Sequence, residues 1–232
     1  MWTGMQSVQQ TQNSTGVLNP GRTAPDALNL LEQFGRTVNV RRQREIYRLG
    51  EPTEFCWRIV AGCVRTVTLM DDGRRQVGEF LWPGDLLGMD DLGAHDSDAE
   101  AVTHVTLRRY PRRMVEALAQ SHPALALRLR AMAAAKLRNV RQQMFLLGRK
   151  TATEKIASFL VDMDRRSTAS NCRLVELPMN RADIADHLGM SVETVSRTLV
   201  HLQHNGIVAI LRSGVELRDR VALRDLACES RH

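Results

Sequence analysis

The sequence lacks the marks of several large functional classes. It holds four cysteines in 232 residues, Cys56, Cys63, Cys172 and Cys228. No two of them form a CxxC pair or any spacing that suits a metal site, so free thiols in a reducing compartment are expected, with neither a structural zinc nor a disulfide framework. No apolar run approaches the roughly 18 residues of a membrane-spanning helix. The first residues, Met1-Trp2-Thr3-Gly4-Met5-Gln6, offer neither the basic nor the apolar part of a secretion signal. The expectation is a cytoplasmic chain with no membrane partner. Hydrophobic residues make up 43% and charged residues 25%, which excludes a collagen, a wholly disordered chain and a small disulfide scaffold. The length suits one large or two medium domains.

The net charge of +6 hides a segregation along the chain. Residues 51–107 carry 11 acidic against 4 basic side chains, whereas residues 108–148 carry 9 basic against 1 acidic. An acidic segment beside a basic one fits a sensor or scaffold joined to a part that meets a polyanion, nucleic acid being the commonest. A solvated basic helix without a partner is the plain alternative.

Residues 1–24 are rich in Gln, Ser, Thr, Gly and Pro with Trp2 as the one aromatic, too little apolar surface to offset the entropy of ordering, so a disordered tail is expected. Asp26 can cap a short helix carrying Leu28, Leu31 and Phe34, ending at Gly35. From Thr37 to Tyr110 the texture becomes short β-rich runs separated by turns such as Gly50-Glu51-Pro52, Asp71-Asp72-Gly73 and Pro83-Gly84. Strands at such spacing read as an antiparallel β-roll or jelly roll, with a hairpin at Asp72-Gly73. The first folded unit is placed at residues 25–122.

A long helix is expected over residues 123–148, which combine good helix formers with no glycine until Gly148. Ala133, Leu137, Val140, Met144 and Leu147 recur at steps of 4, 3, 4 and 3, the spacing of a coiled-coil dimer seam. Packing against the same chain's roll is the alternative. A last domain, residues 149–232, begins with a capping box at Thr151-Ala152-Thr153-Glu154.

Within it, residues about 180–204 read as two helices around a tight turn. Asn180 and Ser191 are the N-caps, Gly189 permits the positive φ of the turn, Ala185 is small where helices cross, and Ile184, Leu188, Val195, Leu199 and Leu202 fill the wedge between them. Ile207 to Leu211 and Val215 to Leu217 then form a two-stranded wing. A helix-turn-helix with a wing is a DNA-binding arrangement. Glu193, Ser196 and Arg197 lie at i, i+3 and i+4 on the second helix, near the end that enters a major groove. Arginine can donate twice to guanine, glutamate can accept from cytosine and serine can contact either base type. An exposed Glu193 to Arg197 ion pair is the bland reading of the same spacing.

This order of parts resembles the Crp/Fnr superfamily of bacterial transcription regulators over about residues 25–226. The resemblance implies an α+β fold: an N-terminal antiparallel β-roll of the cyclic-nucleotide-binding kind, a long dimerisation helix and a C-terminal winged helix-turn-helix. The run Glu193-Thr194-Val195-Ser196-Arg197 is similar to the recognition helix of the Fnr and FixK branches, whose matching Glu, Ser and Arg read TTGAT half-sites. By the same match Arg181, Ser191 and Thr194 are expected to contact phosphate. Val192 stands where the Crp branch has an arginine.

The sensor part departs from the ligand-binding branches. Residues 1–55 contain no cysteine, so the iron–sulfur centre of Fnr is not expected. No arginine lies between Arg75 and Arg108 to neutralise a cyclic-nucleotide phosphate, and the same span holds Glu79, Asp85, Asp90, Asp91, Asp96, Asp98 and Glu100, so an anionic nucleotide would meet repulsion. No cofactor and no metal are expected. Asp85 to Asp91 and Ala99 to Val102 look closest to FixK proteins, which act on microaerobic and nitrogen-fixation genes. Some FixK proteins carry a redox-sensitive cysteine at the start of the motif, whereas here Cys172 lies upstream of Asn180.

The resulting expectation is a homodimeric activator on bacterial DNA that works with RNA polymerase and is not an enzyme. Two rivals stay open. One is the same fold gated by an unseen ligand such as haem or nitric oxide. The other is a cupin-type metalloenzyme, against which stand the two histidines of the β-rich run, His95 and His104, with no HxH pair. His187, His201 and His204 are read as surface or phosphate-adjacent residues, and Cys56, Cys63 and Cys228 as without special role.

Overall fold

The computed structural model describes residues 27–89, 93–166 and 173–227. The tail at 1–24, the Asp26 cap, the loop from Ser167 to Cys172, and Cys228 lie outside the described residues. The chain enters through a 3-10 helix, Ala27–Phe34, which buries Leu28 and Leu31. Their spacing of three, continued by Phe34, stacks these side chains in one column of the three-residue turn.

Eight strands follow: β1 (Arg36–Val40), β2 (Glu45–Tyr47), β3 (Phe55–Ala61), β4 (Val64–Leu69), β5 (Arg75–Leu81), β6 (Leu86–Leu87), β7 (Asp98–Ala101) and β8 (Val105–Pro111). They form two four-stranded antiparallel sheets, ordered β1-β8-β3-β6 and β2-β7-β4-β5. The hairpin at Asp72-Gly73 joins β4 to β5 as expected. Between the sheets sit Tyr47, Trp57, Ile59, Val64, Leu87 and Leu107. Each such side chain contributes about 1.5–3 kcal/mol by leaving water.

β4 departs from simple alternation, since its first four residues, Val64 to Val67, are all buried. Val64 faces the roll interior, while Val67, Val77 and Phe80 join a second cluster built mainly from the C-terminal part. The outer face of this sheet is therefore an internal surface. Cys63 is buried in this second cluster and Cys56 in a third, with Leu28, Leu31 and Tyr110; burial pushes both thiols up to about 12, which leaves them protonated and unreactive.

Helix α1 (Arg112–Ser121) leads to α2 (Pro123–Arg149), which starts with proline at its first position, where no N–H is needed. Gly148 does not end α2. The helix runs one residue further, and it stops where Thr151 caps α3 (Ala152–Arg166). The Thr151 backbone N–H donates to Glu154 Oε2 at 2.7 Å and the Glu154 N–H to Thr151 Oγ1 at 3.4 Å, closing the capping box. Beyond it come β9 (Leu174–Glu176), α4 (Arg181–Leu188), α5 (Val192–His204), β10 (Val208–Leu211), β11 (Gly214–Leu217) and α6 (Arg220–Leu226).

The wing has three strands, ordered β10-β11-β9, instead of two. β9 and β11 approach so closely that a Cβ on Gly214 would run into the Val175 carbonyl oxygen, which is why glycine opens β11. No helix among the described residues is long and apolar enough to cross a membrane.

Candidate nucleic-acid interface

The turn between α4 and α5 forms for reasons that are local in the sequence. The Asn180 side chain accepts from the Asp183 N–H at 2.8 Å, and the Asp183 carboxylate accepts from the Asn180 N–H at 3.3 Å, a reciprocal cap that starts α4. Gly189 ends α4 at φ +60°, a left-handed conformation that turns the chain towards α5. Ser191 then caps α5 by accepting from the Thr194 N–H at 3.2 Å. Ile184, Ala185, Leu188, Val195, Leu199 and Leu202 are all buried between the helices, as the wedge reading requires.

Burial of Val195, Leu199 and Leu202 turns the opposite face of α5 outward. Glu193, Ser196 and Arg197 are exposed on it together. The Glu193 carboxyl is held below the usual carboxylate range by its own backbone N–H at the helix start, then by the Ser191 hydroxyl and the nearby Arg197 charge. It is an ionised acceptor at neutral pH. Among the described residues no salt bridge holds Arg197, so its planar donor fork is free in the folded chain. The Ser196 hydroxyl donates to the Val192 carbonyl at 2.9 Å, which leaves its oxygen able to accept. Val200 is also exposed on this face. Its place one heptad after Glu193 could have drawn notice, but as an apolar residue it reads as core.

The three residues expected to contact phosphate sit around the two helix starts. Ser191 and Thr194 are within one cap, their hydroxyl oxygens 3.0 Å apart. Arg181 is half-buried at the first position of α4, and burial lowers its pKa. Its Nη1 is buried and meets no acceptor among the described residues, an arrangement that an anion at the helix start would relieve.

The seam residues on α2 divide. Ala133, Leu137, Val140 and Met144 are exposed, Leu137 at 52% and Met144 at 70%, with Phe145 beside them at 63%. Leu147 turns inward instead, its Cδ2 lying 3.3 Å from a Cβ built on Gly189. It packs under the motif's turn, because the residue where α2 meets the C-terminal part has a partner in its own chain.

His187 is a correction to the surface reading. It is wedged between α4, α3 and the roll, with its ring 5.2 Å from Phe80 and 6.0 Å from Phe159. Its Nδ1 lies 3.2 Å from the Val77 carbonyl oxygen, and burial lowers its pKa. His201 and His204 are exposed, as expected. Sequence reasoning also passed over Asp183 as a charged residue of consequence. Its side chain is 2% exposed and receives Arg65 Nη1 at 2.7 Å and Arg75 Nη2 at 2.5 Å, while Arg75 Nε reaches Asp186 at 2.8 Å.

The roll's charges bear on nucleotide binding. Arg65 and Arg75 are spent on Glu100, Asp183 and Asp186, and Lys136 on Glu79 at 2.8 Å. Asp98 accepts the Leu49 N–H and Asp85 the Trp82 N–H. This donor set does not suit a cyclic-nucleotide phosphate. Among the described residues no group of three or more histidine, cysteine or carboxylate side chains could hold a metal ion.

Comparison with known proteins places these parts. Residues 154–226 match the model of the Crp-like helix-turn-helix domain, and residues 37–122 that of the cyclic nucleotide-binding domain. The chain is 44% identical over 197 residues to the nitrogen fixation regulation protein FixK of Azorhizobium caulinodans, covering 83% of this chain and 79% of that one. It is 36% identical over 202 residues to the FixK of Bradyrhizobium diazoefficiens, covering 86% and 85%. The solved structure of FixK2 from Bradyrhizobium japonicum superposes with a TM-score of 0.80 at 39% identity, over 85% of this chain and 99% of that one. The chain belongs to the FixK branch of the Crp/Fnr superfamily and is a DNA-binding transcription regulator, not an enzyme.

Proposed function

We propose that the chain is a homodimeric activator that reads TTGAT-like palindromes and binds DNA without nucleotide, iron–sulfur or metal cofactor. The observation that carries the reading is the exposed face of Glu193, Ser196 and Arg197 on a helix whose other side is buried. Arg197 supplies the bidentate fork for guanine, Glu193 an ionised acceptor for cytosine N4, and Ser196 an oxygen for either base type. Arg181, Ser191 and Thr194 fix the register on phosphate. Ala133, Leu137, Val140 and Met144 supply the dimer seam, placing two recognition helices in successive major grooves about 34 Å apart. The names of the FixK relatives support nitrogen-fixation-type target genes. Activation implies contact with RNA polymerase in a bacterial cytoplasm.

A second reading has one observation in its favour. A cleft of about 780 Å³ opens between the roll, α2 and α3, lined by Phe80, Lys136, Val140, Met144, Phe159 and His187 among others, a volume that small ligands occupy. A mobility shift separates the two. Untreated, aerobically purified protein is titrated on a TTGAT-N4-ATCAA duplex and on a scrambled one at fixed salt. Tight, specific binding without additive is expected. A folded dimer that ignores the palindrome until a ligand such as haem is added would overturn the cofactor-free reading and favour the gated one.

A further inference from the structure

The roll and the DNA-binding head share more than an apolar contact. Asp183, on the third position of α4, uses both carboxylate oxygens. Oδ1 accepts from Arg75 Nη2 at 2.5 Å, and Oδ2 accepts from Arg65 Nη1 at 2.7 Å and from the Asn180 N–H at 3.3 Å. One buried carboxylate thus caps α4 and ties it to β4 and β5. Arg65 is itself held in its sheet, because Glu100 lies opposite it on β7 and accepts from its Nε at 2.8 Å and its Nη2 at 2.5 Å. Arg75 bridges one helical turn of α4 by giving Nε to Asp186.

The far end of α4 is braced from elsewhere. Gln143 on α2 donates to the His187 carbonyl at 2.8 Å and Lys155 on α3 to the Leu188 carbonyl at 3.2 Å. Ring packing of His187 on α4 against Phe80 and Phe159 would by itself let α4 slide along the sheet. Forked, charge-assisted bonds to two carboxylates one turn apart fix both its position and its rotation. Because α5 leans on α4 through Ile184, Ala185, Val195 and Leu199, a shift of α4 is a shift of the base-reading face.

We infer that Arg65 and Arg75 of the roll are positioning residues for DNA recognition, holding the helix-turn-helix in its groove-reading orientation through Asp183 and Asp186. They touch no DNA. The pairing also neutralises two carboxylates on a helix whose start, at Arg181, faces phosphate in the reading above.

Resting on the palindrome reading, the role is tested with Arg75→Ala and Asp186→Ala, which change the net charge in opposite directions. Each is titrated against the palindrome and the scrambled duplex beside wild type, and amide hydrogen exchange of α4 is followed without DNA. Both variants are expected to lose about tenfold or more on the palindrome, to stay within about twofold on the scrambled duplex, and to exchange α4 amides faster. Arg75→Lys, which keeps the charge and cannot bridge two carboxylates, should behave the same way and guards against misfolding of the alanine variants. The inference is overturned if the folded variants keep the wild-type ratio of the two affinities. It is equally overturned if Arg75→Ala weakens and Asp186→Ala tightens binding to both duplexes alike, the mark of bulk charge. Should wild type itself ignore the palindrome, the operator reading fails separately, and α4 exchange then decides: faster exchange in the variants supports the docking role and unchanged exchange ends it.

Discussion

Arg197→Ala isolates base reading from folding more cleanly than any other substitution in the chain. In the free protein the guanidinium is exposed and no salt bridge ties it among the described residues, so its removal should change unfolding free energy by no more than about 0.5 kcal/mol. In the complex it would supply one bidentate contact to guanine in each half-site, worth about 1–3 kcal/mol. A dimer on a palindrome loses the contact twice, about 2–6 kcal/mol, or roughly 30-fold to about 20,000-fold in affinity. The assay is a titration of the TTGAT palindrome, a duplex with the guanine replaced, and a scrambled duplex, each at several salt concentrations. The palindrome should weaken by that factor, the guanine-replaced duplex hardly at all, and the salt slope should stay unchanged because no phosphate contact is lost. Wild-type affinity in the variant would refute the base-reading assignment. Equal weakening on every duplex with a shallower salt slope would refute it too, and would make Arg197 a phosphate contact.

Leu137→Glu places a charge in the middle of the exposed α2 stripe, and sedimentation equilibrium should show a folded monomer with palindrome affinity greatly reduced; a dimer of unchanged strength would send the interface elsewhere. The His187 imidazole, buried against Val77, Phe80 and Phe159, has its pKa lowered below the unfolded value of about 6.5. The unfolded chain then binds more protons over the window between the two values, so stability is complete above about pH 6.5 and falls as pH drops below it. Thermal melts from pH 7.5 to 5 should show this loss, and His187→Gln should flatten it; an identical slope in the variant would mean that other groups set the acid sensitivity.

What the sequence discloses is what is local. The Thr151 capping box, the Asn180 and Ser191 caps, the Gly189 turn, the apolar wedge and the exposed face of Glu193, Ser196 and Arg197 depend on residues within one or two helical turns, and all can be read from spacing alone. The 3-10 helix was half visible, since Leu28 and Leu31 announce a helix but not its pitch. What stays hidden is set by partners far along the chain. Asp183 looks like an ordinary capping residue until Arg65 arrives from 118 residues away. His187 looks like a polar residue on an exposed helix until β5 covers it. Leu147 fits the dimer seam by its step of three, and nothing nearby in sequence says that Gly189 will lie over it. β9 is three residues long, too short to show a period, and becomes a strand because β11 pairs with it.

The same long-range contacts explain how a roll whose Arg65 and Arg75 are paired with carboxylates can still serve its head. A regulator whose competent orientation is only a minor population binds its operator more weakly by that fraction, and a ligand that selects the orientation removes the penalty. Here the orientation is built from contacts made in folding: a core that runs without a break from Val67, Val77 and Phe80 into Phe159, Leu188 and Leu199, and a buried carboxylate gripped by two arginines. Any arrangement that separated them would leave the Asp183 carboxylate, 2% exposed, without its two arginines, which weights the head towards the docked one. On the cofactor-free reading, control then falls on how much of the protein is present, because the arrangement of each copy is already fixed when it folds.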